Sequence, residues 1–294
     1  MLVNEKIENC PDLTASEKVV ADFILSLGLE VKELSTAEIA KNTFTSPATA
    51  VRLAQKIGFS GWNELKERLF SETEYLNSHF SEVDANIPFS ANDSFMSVAN
   101  KIGALEIETI RDTLALLDYK VLHEAAHLLN NARTIHVIGT SVSLMLAEQF
   151  KYKMIRIGRN VNVSMIHGEQ LYESEQVSTD DCVIVLSYSG EDAFLKTIMT
   201  RLNKKQVNMI SVTNIGSNTI AKSAKLNLFC STREKLNHKI GAFSSVGSMD
   251  FILDVLYSCI FSIDYKKNLN KRVELAKKYE LNRTSDTKQL IDDA

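Results

Sequence analysis

Two serine-rich segments carry the residue types of an anion-binding site. Residues 139–143 (GTSVS) and 187–191 (SYSGE) each follow a short apolar run, which ends at Ile138 or Leu186. Hydroxyls and backbone N–H groups at a strand-to-helix turn are natural ligands of an anion. Serine and glycine are also common in ordinary turns, so it is the occurrence of two such segments that predicts an anion site. Neither has the ending of a P-loop or the GxGxxG spacing of a dinucleotide site.

A second group of residues fits a metal site. Residues 123–127 (HEAAH) match the HExxH pattern, in which two imidazoles on one helical face bind zinc and the glutamate acts as a base. Glu148 could supply a third ligand. However, leucine and alanine also form an ordinary amphipathic stripe through this segment, and an apolar run with its serine segment fills the chain before Glu148. We therefore predict a packed helix and no metal site.

Glu234 and His238 are the residue types of the acid–base pair that a sugar isomerase needs. The alternative is a surface loop in which a carboxylate and an imidazole occur by chance, and the sequence favours neither. Ser244 and Ser245, at the start of the last predicted helix, are either ligand contacts or helix caps. Because nothing in the sequence defines the geometry of the pair, we predict no catalytic residue.

The first 76 residues have the pattern of a helix-turn-helix. Residues 14–17 (TASE) and 35–38 (STAE) are capping boxes that open amphipathic helices, and Pro47 takes the first position of a third helix. A break at residues 42–45 separates the second and third helices. The N-terminal end of a helix placed in this way can enter the DNA major groove. The predicted outward positions of the third helix are Ser46, Ala48, Thr49, Arg52, Gln55 and Lys56.

These outward residues suit DNA, and the local charge does too. Arginine can bind a guanine edge through two hydrogen bonds, and hydroxyls can bind bases or phosphates. The whole chain has a net charge of −4, which disfavours non-specific coating of nucleic acid. Residues 41–68, in contrast, contain five basic and two acidic side chains. Any three-helix packing module can show the same periodicity, so periodicity alone leaves DNA binding open.

From residue 118 onward, short apolar runs alternate with helical stretches. The predicted strands are 134–139, 160–166, 182–187, 208–212 and 226–230, and the predicted helices are 142–157, 191–204, 218–224 and 246–263. Strands buried on both faces and joined by helices indicate a parallel doubly wound α/β sheet. If its five strands take the flavodoxin-like order 2-1-3-4-5, the first and third strands are neighbours. Both serine segments could then bind one phosphate.

The chain has 294 residues, enough for two domains. We predict an all-α head at 1–76, a linker at 77–104, an α/β body at 105–265 and a charged tail at 266–294, whose lysines form a solvated helical face or touch DNA. The four cysteines form no CxxC pair, and the N-terminus does not resemble a signal peptide, so we expect a cytoplasmic protein with reduced thiols. No window approaches the roughly 18 apolar residues of a membrane span, and we expect no membrane partner.

Residues 45–62 (TSPATAVRLAQKIGFSGW) resemble the head of the RpiR family of bacterial transcription regulators. That family shows a Ser-x-Ala-Thr-x-x-Arg run, followed by a Lys-x-Gly-Phe-x-Gly run. Ala50 and Leu53 stand where bulkier apolar residues are common in the family. The resemblance implies a DNA-binding head that uses the outward residues of the third helix.

Residues 138–141 (IGTS), 187–191 (SYSGE) and 212–217 (VTNIGS) resemble the sugar isomerase (SIS) domain. Such domains bind phosphosugars, and in RpiR-type regulators they follow this kind of head. The effector-site residues that the resemblance implies are Ser141, Ser143, Ser187, Ser189, Gly190, Glu191 and Glu234. One departure is Asp192, where the family usually has a threonine or serine that meets the phosphate. A carboxylate there repels a phosphate dianion unless it turns away.

The sequence therefore predicts a transcription regulator of carbohydrate metabolism. We expect it to bind operator DNA as a homodimer or homotetramer, to respond to a phosphosugar effector and to use no cofactor. One rival is a sugar-phosphate isomerase with an accessory helical domain. Another is a phosphosugar-sensing adaptor whose helical head binds a protein.

Overall fold

The computed structural model describes residues 2–78 and 83–280, so the predicted charged tail is described only as far as Glu280. The helices are α1 (Val3–Glu8), α2 (Ala15–Ser26), α3 (Thr36–Thr43), α4 (Pro47–Lys56), α5 (Trp62–Ser78), α6 (Phe95–Ala115), α7 (Tyr119–Asn131), α8 (Val142–Ile155), α9 (Glu169–Glu173), α10 (Ala193–Lys204), α11 (Thr219–Ser223), α12 (Ser244–Ile263) and α13 (Tyr265–Tyr279). Short 3-10 helices cover Gly28–Glu33 and Ser174–Gln176.

The five strands form one parallel sheet in the order β2-β1-β3-β4-β5, as the sequence predicts. They are β1 (Ile135–Gly139), β2 (Val161–Val163), β3 (Cys182–Leu186), β4 (Asn208–Asn214) and β5 (Leu226–Cys230). The central strand β3 is buried along its whole length because both faces of the sheet are covered. Ile184 faces the cluster of α7, α8 and α12, whereas Val183 and Val185 face α10 and α11.

Three elements differ from the sequence prediction. The second strand covers three residues rather than 160–166, and the exposed Met165 and Ile166 lie outside it. The helical turn expected at Trp62 is the start of the 17-residue helix α5, which buries Leu65 and Leu69 in the head. Helix α6 begins inside the predicted linker.

Helix α6 is attached to the body through buried hydroxyls. Thr109 donates to the Ser244 hydroxyl over 2.8 Å, and the Thr113 and Ser248 hydroxyls lie 2.7 Å apart. Both contacts join α6 to α12. Among the described residues, α12 alone is long and apolar enough to cross a membrane, but it packs against α6, α7, α8 and β5. Length and composition alone are weak evidence for a span, and we interpret α12 as a core helix.

The head is built from α1 to α5 around one apolar cluster, with Val20, Ile39 and Leu53 at its centre. Both predicted capping boxes are present at the starts of α2 and α3. An ion pair also connects α4 to α2: the Lys56 ammonium lies 2.8 Å from the Glu17 carboxylate and contacts the carbonyl oxygen of Asp12. The bonds from Lys56 and from the Thr14 backbone lower the pKa of Glu17 from 4.5 to about 2.

The pKa of Glu17 predicts how the stability of the head depends on pH. A carboxylate whose pKa is lower in the folded state stabilises the protein above its unfolded pKa, and this contribution is lost as the pH falls toward the folded value. We expect the thermal midpoint of the head to fall between pH 5 and pH 2, and to fall less steeply in Glu17→Gln. The fluorescence of the buried Trp62, the single tryptophan, reports on the head. The same slope in Glu17→Gln as in wild type and in the exposed control Glu33→Gln would contradict this assignment.

The Gln170 side chain makes the hydrogen bonds to β1 that a longer β2 would make. Strand pairing stops at Val137–Val163, which leaves Gly139 without a strand neighbour on that side. The buried Gln170 side chain fills this position: its oxygen accepts from the Gly139 N–H over 3.2 Å, and its nitrogen donates to the Gly139 carbonyl over 3.0 Å. One side chain thus pairs both backbone groups at the start of the first serine segment.

Removing this side chain should destabilise the body. In Gln170→Ala, the N–H and C=O of Gly139 lose these partners in a buried position, so the free energy of unfolding should fall by about 2 kcal/mol or more. Urea unfolding followed by circular dichroism measures this. The control is Gln176→Ala, which removes an exposed glutamine from the adjacent 3-10 helix. Equal effects of the two substitutions would show that the Gly139 contacts contribute nothing.

Candidate functional site

The two serine segments follow neighbouring strands, β1 and β3, and therefore lie side by side. The β1–β3 ladder pairs Gly139 with Leu186 at its last step. Residues 139–143 therefore lead into α8 next to residues 187–191, which lead toward α10. This is the edge at which parallel doubly wound sheets open a crevice. We call these segments the first and second serine loops.

The first serine loop is tightly folded. Ser141 has a φ of +54°, in the left-handed region, and its side chain is exposed. Ser143 is buried, and its hydroxyl faces the Met249 sulfur at 4.0 Å. A Cβ on Gly139 would lie 3.0 Å from the Cβ of Ser143 and 3.3 Å from the carbonyl oxygen of Leu186. A side chain at position 139 would therefore push the loop away from β3.

The second serine loop is equally constrained. Ser187 is buried, and its N–H donates to the carbonyl of Val212 in β4 over 3.0 Å. The half-buried Ser189 hydroxyl accepts from the N–H of Glu191 over 3.2 Å. Gly190 has a φ of +66°, and a Cβ there would lie 2.0 Å from the Cγ of Asn218. Only glycine fits this position, because both its backbone and its surroundings exclude a side chain.

The acidic residues at the end of this loop, Glu191 and Asp192, are held by other partners. The Glu191 carboxylate accepts from the N–H of Thr219 over 2.8 Å and lies 3.1 Å from the Lys196 ammonium, which turns it toward α11. Asp192 is the N-cap of α10 and accepts from the N–H of Leu195 over 3.0 Å. Its other oxygen accepts from the Thr140 hydroxyl over 3.3 Å. Asp192 thus turns one oxygen onto the helix and links the two serine loops with the other.

Glu234 lies buried beside the second serine loop, so the surface-loop alternative is wrong for this carboxylate, although it holds for His238. Its oxygens accept from the N–H of Ser244 and from the Ser245 hydroxyl, and they pair with Lys239 over 2.8 Å. Glu234 therefore caps α12. The Tyr188 hydroxyl donates to the carbonyl of Glu234 over 2.8 Å.

Two other titratable residues, His238 and Glu106, lie near Glu234 in the sequence or in the fold. His238 is exposed, in contrast to the buried Glu234. Glu106, on α6, has a raised pKa because of burial and the charge of Glu234. The sequence does not indicate Glu106 or Gln170 as residues of this edge. Neither belongs to a motif, and each reaches the site only through long-range packing.

The residues of the HExxH pattern do not come together as a zinc site. His123 and His127 are exposed on α7, and their ring centroids lie 4.4 Å apart. Glu124 pairs with Lys225 over 3.3 Å, and Glu148 pairs with Lys151 over 3.1 Å. Within residues 2–78 and 83–280, no group of three or more histidine, cysteine or acidic side chains is placed to hold a metal. The four cysteines carry no disulfide, and burial raises the pKa of Cys182 and Cys230 to about 12.

In the head, Ser46 is exposed immediately before α4, and Ala48, Arg52 and Gln55 are exposed on the helix. The outward orientation predicted for Thr49 is wrong, because its side chain is buried against the head. Its hydroxyl lies 3.0 Å from that of Ser46 and accepts from the Arg52 guanidinium over 3.1 Å. Thr49 therefore orients the two residues on either side of it. Lys56 is exposed, but its ammonium group is held by Glu17.

Known families match both parts of the chain. Residues 1–75 match the helix-turn-helix domain of the rpiR family, and residues 128–258 match the SIS domain. A helix-turn-helix-type transcriptional regulator from Caldanaerobacter subterraneus subsp. tengcongensis is 28% identical over 258 residues. That similarity covers 88% of this chain and 89% of that protein.

Solved structures share the fold. NanR of Vibrio vulnificus, complexed with ManNAc-6P, matches with a TM-score of 0.61 at 21% identity and covers 96% of this chain and 100% of that one. A putative sugar-phosphate isomerase from Listeria monocytogenes matches with a TM-score of 0.53 at 15% identity over 62% of this chain and 98% of that one. At these identities the likeness is one of fold.

The two matched domains stand in the order that the sequence motifs predict, and the similarity to a transcriptional regulator runs through both. The chain belongs to the RpiR family of helix-turn-helix transcription regulators with a C-terminal SIS domain.

Proposed function

We propose that the SIS body of this regulator binds a phosphosugar between the two serine loops and thereby changes the affinity of the head for operator DNA. The observation that carries the proposal is the β1–β3 ladder, which places the loops of Ser141, Ser187 and Ser189 side by side. Their hydroxyls and the N-terminal ends of α8 and α10 provide donors for a phosphate. The complex of NanR with ManNAc-6P supports this choice of ligand, since that protein has the same fold.

Residues around the loops suit the sugar part of the ligand. Tyr188 adds an aromatic ring at this edge of the sheet and donates to the backbone carbonyl of Glu234. The Glu234 carboxylate lies beside it and would accept a sugar hydroxyl in addition to its bonds to Ser245 and Lys239. Lys239 lies 5.4 Å from the centre of the Tyr188 ring and pairs with Glu234, which brings a positive charge next to the loop. Gly190 and Glu191 shape the loop around the ligand: the N–H of Gly190 donates to the carbonyl of Ser187, and the Glu191 carboxylate is turned toward α11.

The proposed regulator acts in the cytoplasm as a homodimer or homotetramer. A two-fold dimer would present two α4 helices to half-sites about one DNA turn apart. An apolar stripe on α6 supports a second copy as its partner, since Ile107, Ile110 and Leu114 are exposed at helical spacing. The effector changes DNA affinity only to the extent that it binds the two arrangements of the heads differently.

We propose that the protein is not an isomerase, although a sugar-phosphate isomerase shares the fold of its body. A general base must reach the proton that it removes. Glu234 is buried and already engaged by Ser244, Ser245 and Lys239, whereas His238 is exposed. The carboxylate thus holds the start of α12. Turnover of hexose phosphates by the purified chain would contradict this part of the proposal.

The effector proposal is tested by thermal shift with a panel of hexose and N-acetylhexosamine 6-phosphates, each paired with its unphosphorylated sugar. We expect at least one phosphosugar to raise the melting temperature of the body, and its plain sugar to have no effect, because ligand bound to the folded state stabilises it. Ser189→Ala should weaken binding by about tenfold, the loss of one hydrogen bond to a charged group. The control is Ser262→Ala, an exposed serine at the other end of α12.

The same experiment continues with DNA. The stabilising phosphosugar should change the affinity of the full chain for a duplex that it enriches from a random pool. Absence of any phosphosugar effect on melting, or equal binding by Ser189→Ala and wild type, would overturn the effector site.

Asp192 gives a second prediction about effector affinity. Threonine is also a good N-cap, so Asp192→Thr should retain the start of α10 while it removes a negative charge from the loops and adds a hydroxyl. We expect phosphosugar binding to tighten by about tenfold at low salt, and the gain to shrink at high salt. Isothermal titration measures this, with Asp180→Thr as a control that removes an exposed acid elsewhere. Weaker binding in Asp192→Thr would mean that the carboxylate and its bond to Thr140 are needed by the site.

A further inference from the structure

Phe44, in the turn between α3 and α4, combines an exposed ring with a strained backbone. Its side chain is 97% exposed, more than any other large hydrophobic side chain in the described residues. Its φ of +52° and ψ of +38° lie in the left-handed region at the end of α3. That region is unfavourable for a residue with a bulky side chain, and glycine or asparagine adopts it more easily.

The folding of the head does not account for this phenylalanine. Phe44 is not part of the apolar cluster of the head, whereas Thr43 before it is buried. The hydroxyls of Thr43 and Thr45 bond to each other over 2.8 Å, and the N–H of Thr45 donates to the carbonyl of Ala40. The turn is thus closed by its neighbours without any contribution from the ring. A strained residue that its surroundings do not need suggests a functional role.

Part of the exposed surface next to Phe44 is apolar, beside the exposed hydroxyl residue Ser46. Thr49 is buried, and Lys56 is held by Glu17, so two of the predicted polar residues of α4 have partners within the head. Pro47 and Ala48 are exposed at the start of the helix. Together with Phe44 they form an apolar surface where the helix would enter the major groove. The apolar feature of that groove is the methyl group of thymine, to which phenylalanine and alanine side chains pack.

We propose that Phe44 is a specificity-determining residue that packs its ring on a thymine methyl group at the edge of the sequence contacted by α4. The inference rests on the DNA-binding function of the head and adds a residue and a base preference to it. It also explains why the strain is retained. Relief of the strain should stabilise the head and weaken DNA binding, whereas a purely conformational residue would change stability alone.

The test uses the full chain and a duplex that the wild-type protein enriches from a random 30-base-pair pool, a length of about three DNA turns. Phe44→Asn should raise the thermal midpoint of Trp62 fluorescence by roughly 4 °C and weaken binding to the enriched duplex by about tenfold. Phe44→Leu should keep the affinity within about threefold, since it stays apolar. Leu29→Asn, which removes an exposed apolar side chain from the 3-10 helix of the head, should leave the affinity unchanged.

Replacement of each thymine in the duplex by deoxyuridine identifies the contact. One replacement should weaken wild-type binding and have no further effect on Phe44→Asn, because both changes remove the same contact. Arg52→Ala serves as a reference for loss of DNA contact. If Arg52→Ala loses affinity while Phe44→Asn binds as wild type with an unchanged thymine profile, the Phe44 proposal alone is overturned. If the wild-type chain enriches no sequence, DNA recognition by the head fails, and the Phe44 proposal fails with it.

Discussion

The parallel ladder between β1 and β3, from Ile135–Cys182 to Gly139–Leu186, is the constraint on which the site in the body depends. On its two sides lie β2 and β4, so the connections after β1 and β3 depart in opposite directions. The ends of both strands are thereby left open to a ligand. Gly139 and Gly190 keep the two loops close to the sheet, because a Cβ at either position would meet a neighbour. A substitution that adds a side chain at either glycine would therefore move the serines of the two loops apart.

Much of the polar chemistry at this edge holds the loops in place. Gln170 pairs both backbone groups of Gly139, Tyr188 holds the backbone of Glu234, and Asp192 joins the second loop to Thr140. A buried polar group without a partner would cost more than these bonds contribute, so the contacts are needed once the groups are buried. Asp192 also caps α10, although its charge remains beside the proposed anion site.

In the head, different residues stabilise the fold and face the solvent where DNA would bind. Lys56 and Thr49 have the types that contact DNA, yet Lys56 neutralises Glu17 and Thr49 supports Ser46 and Arg52. Phe44 is the opposite case, since it contributes nothing visible to packing and occupies an unfavourable backbone region. Residue type in the sequence is therefore a poor guide to which side chains of the recognition helix are available for DNA contact. Packing against α2 and α3 decides it.

The sequence by itself determined most of the elements, their order and the two serine loops, whereas the extents of β2, α5 and α6 differ from the prediction. These depend on short-range patterns: capping boxes act over three residues, and strands buried on both faces appear as continuous apolar runs. Tertiary structure alone decided which side chains meet. Gln170 reaches Gly139 across 31 residues, Lys56 reaches Glu17 across 39 and Tyr188 reaches Glu234 across 46. No periodicity encodes such contacts, because they arise only when separate elements pack and their buried polar groups must find partners.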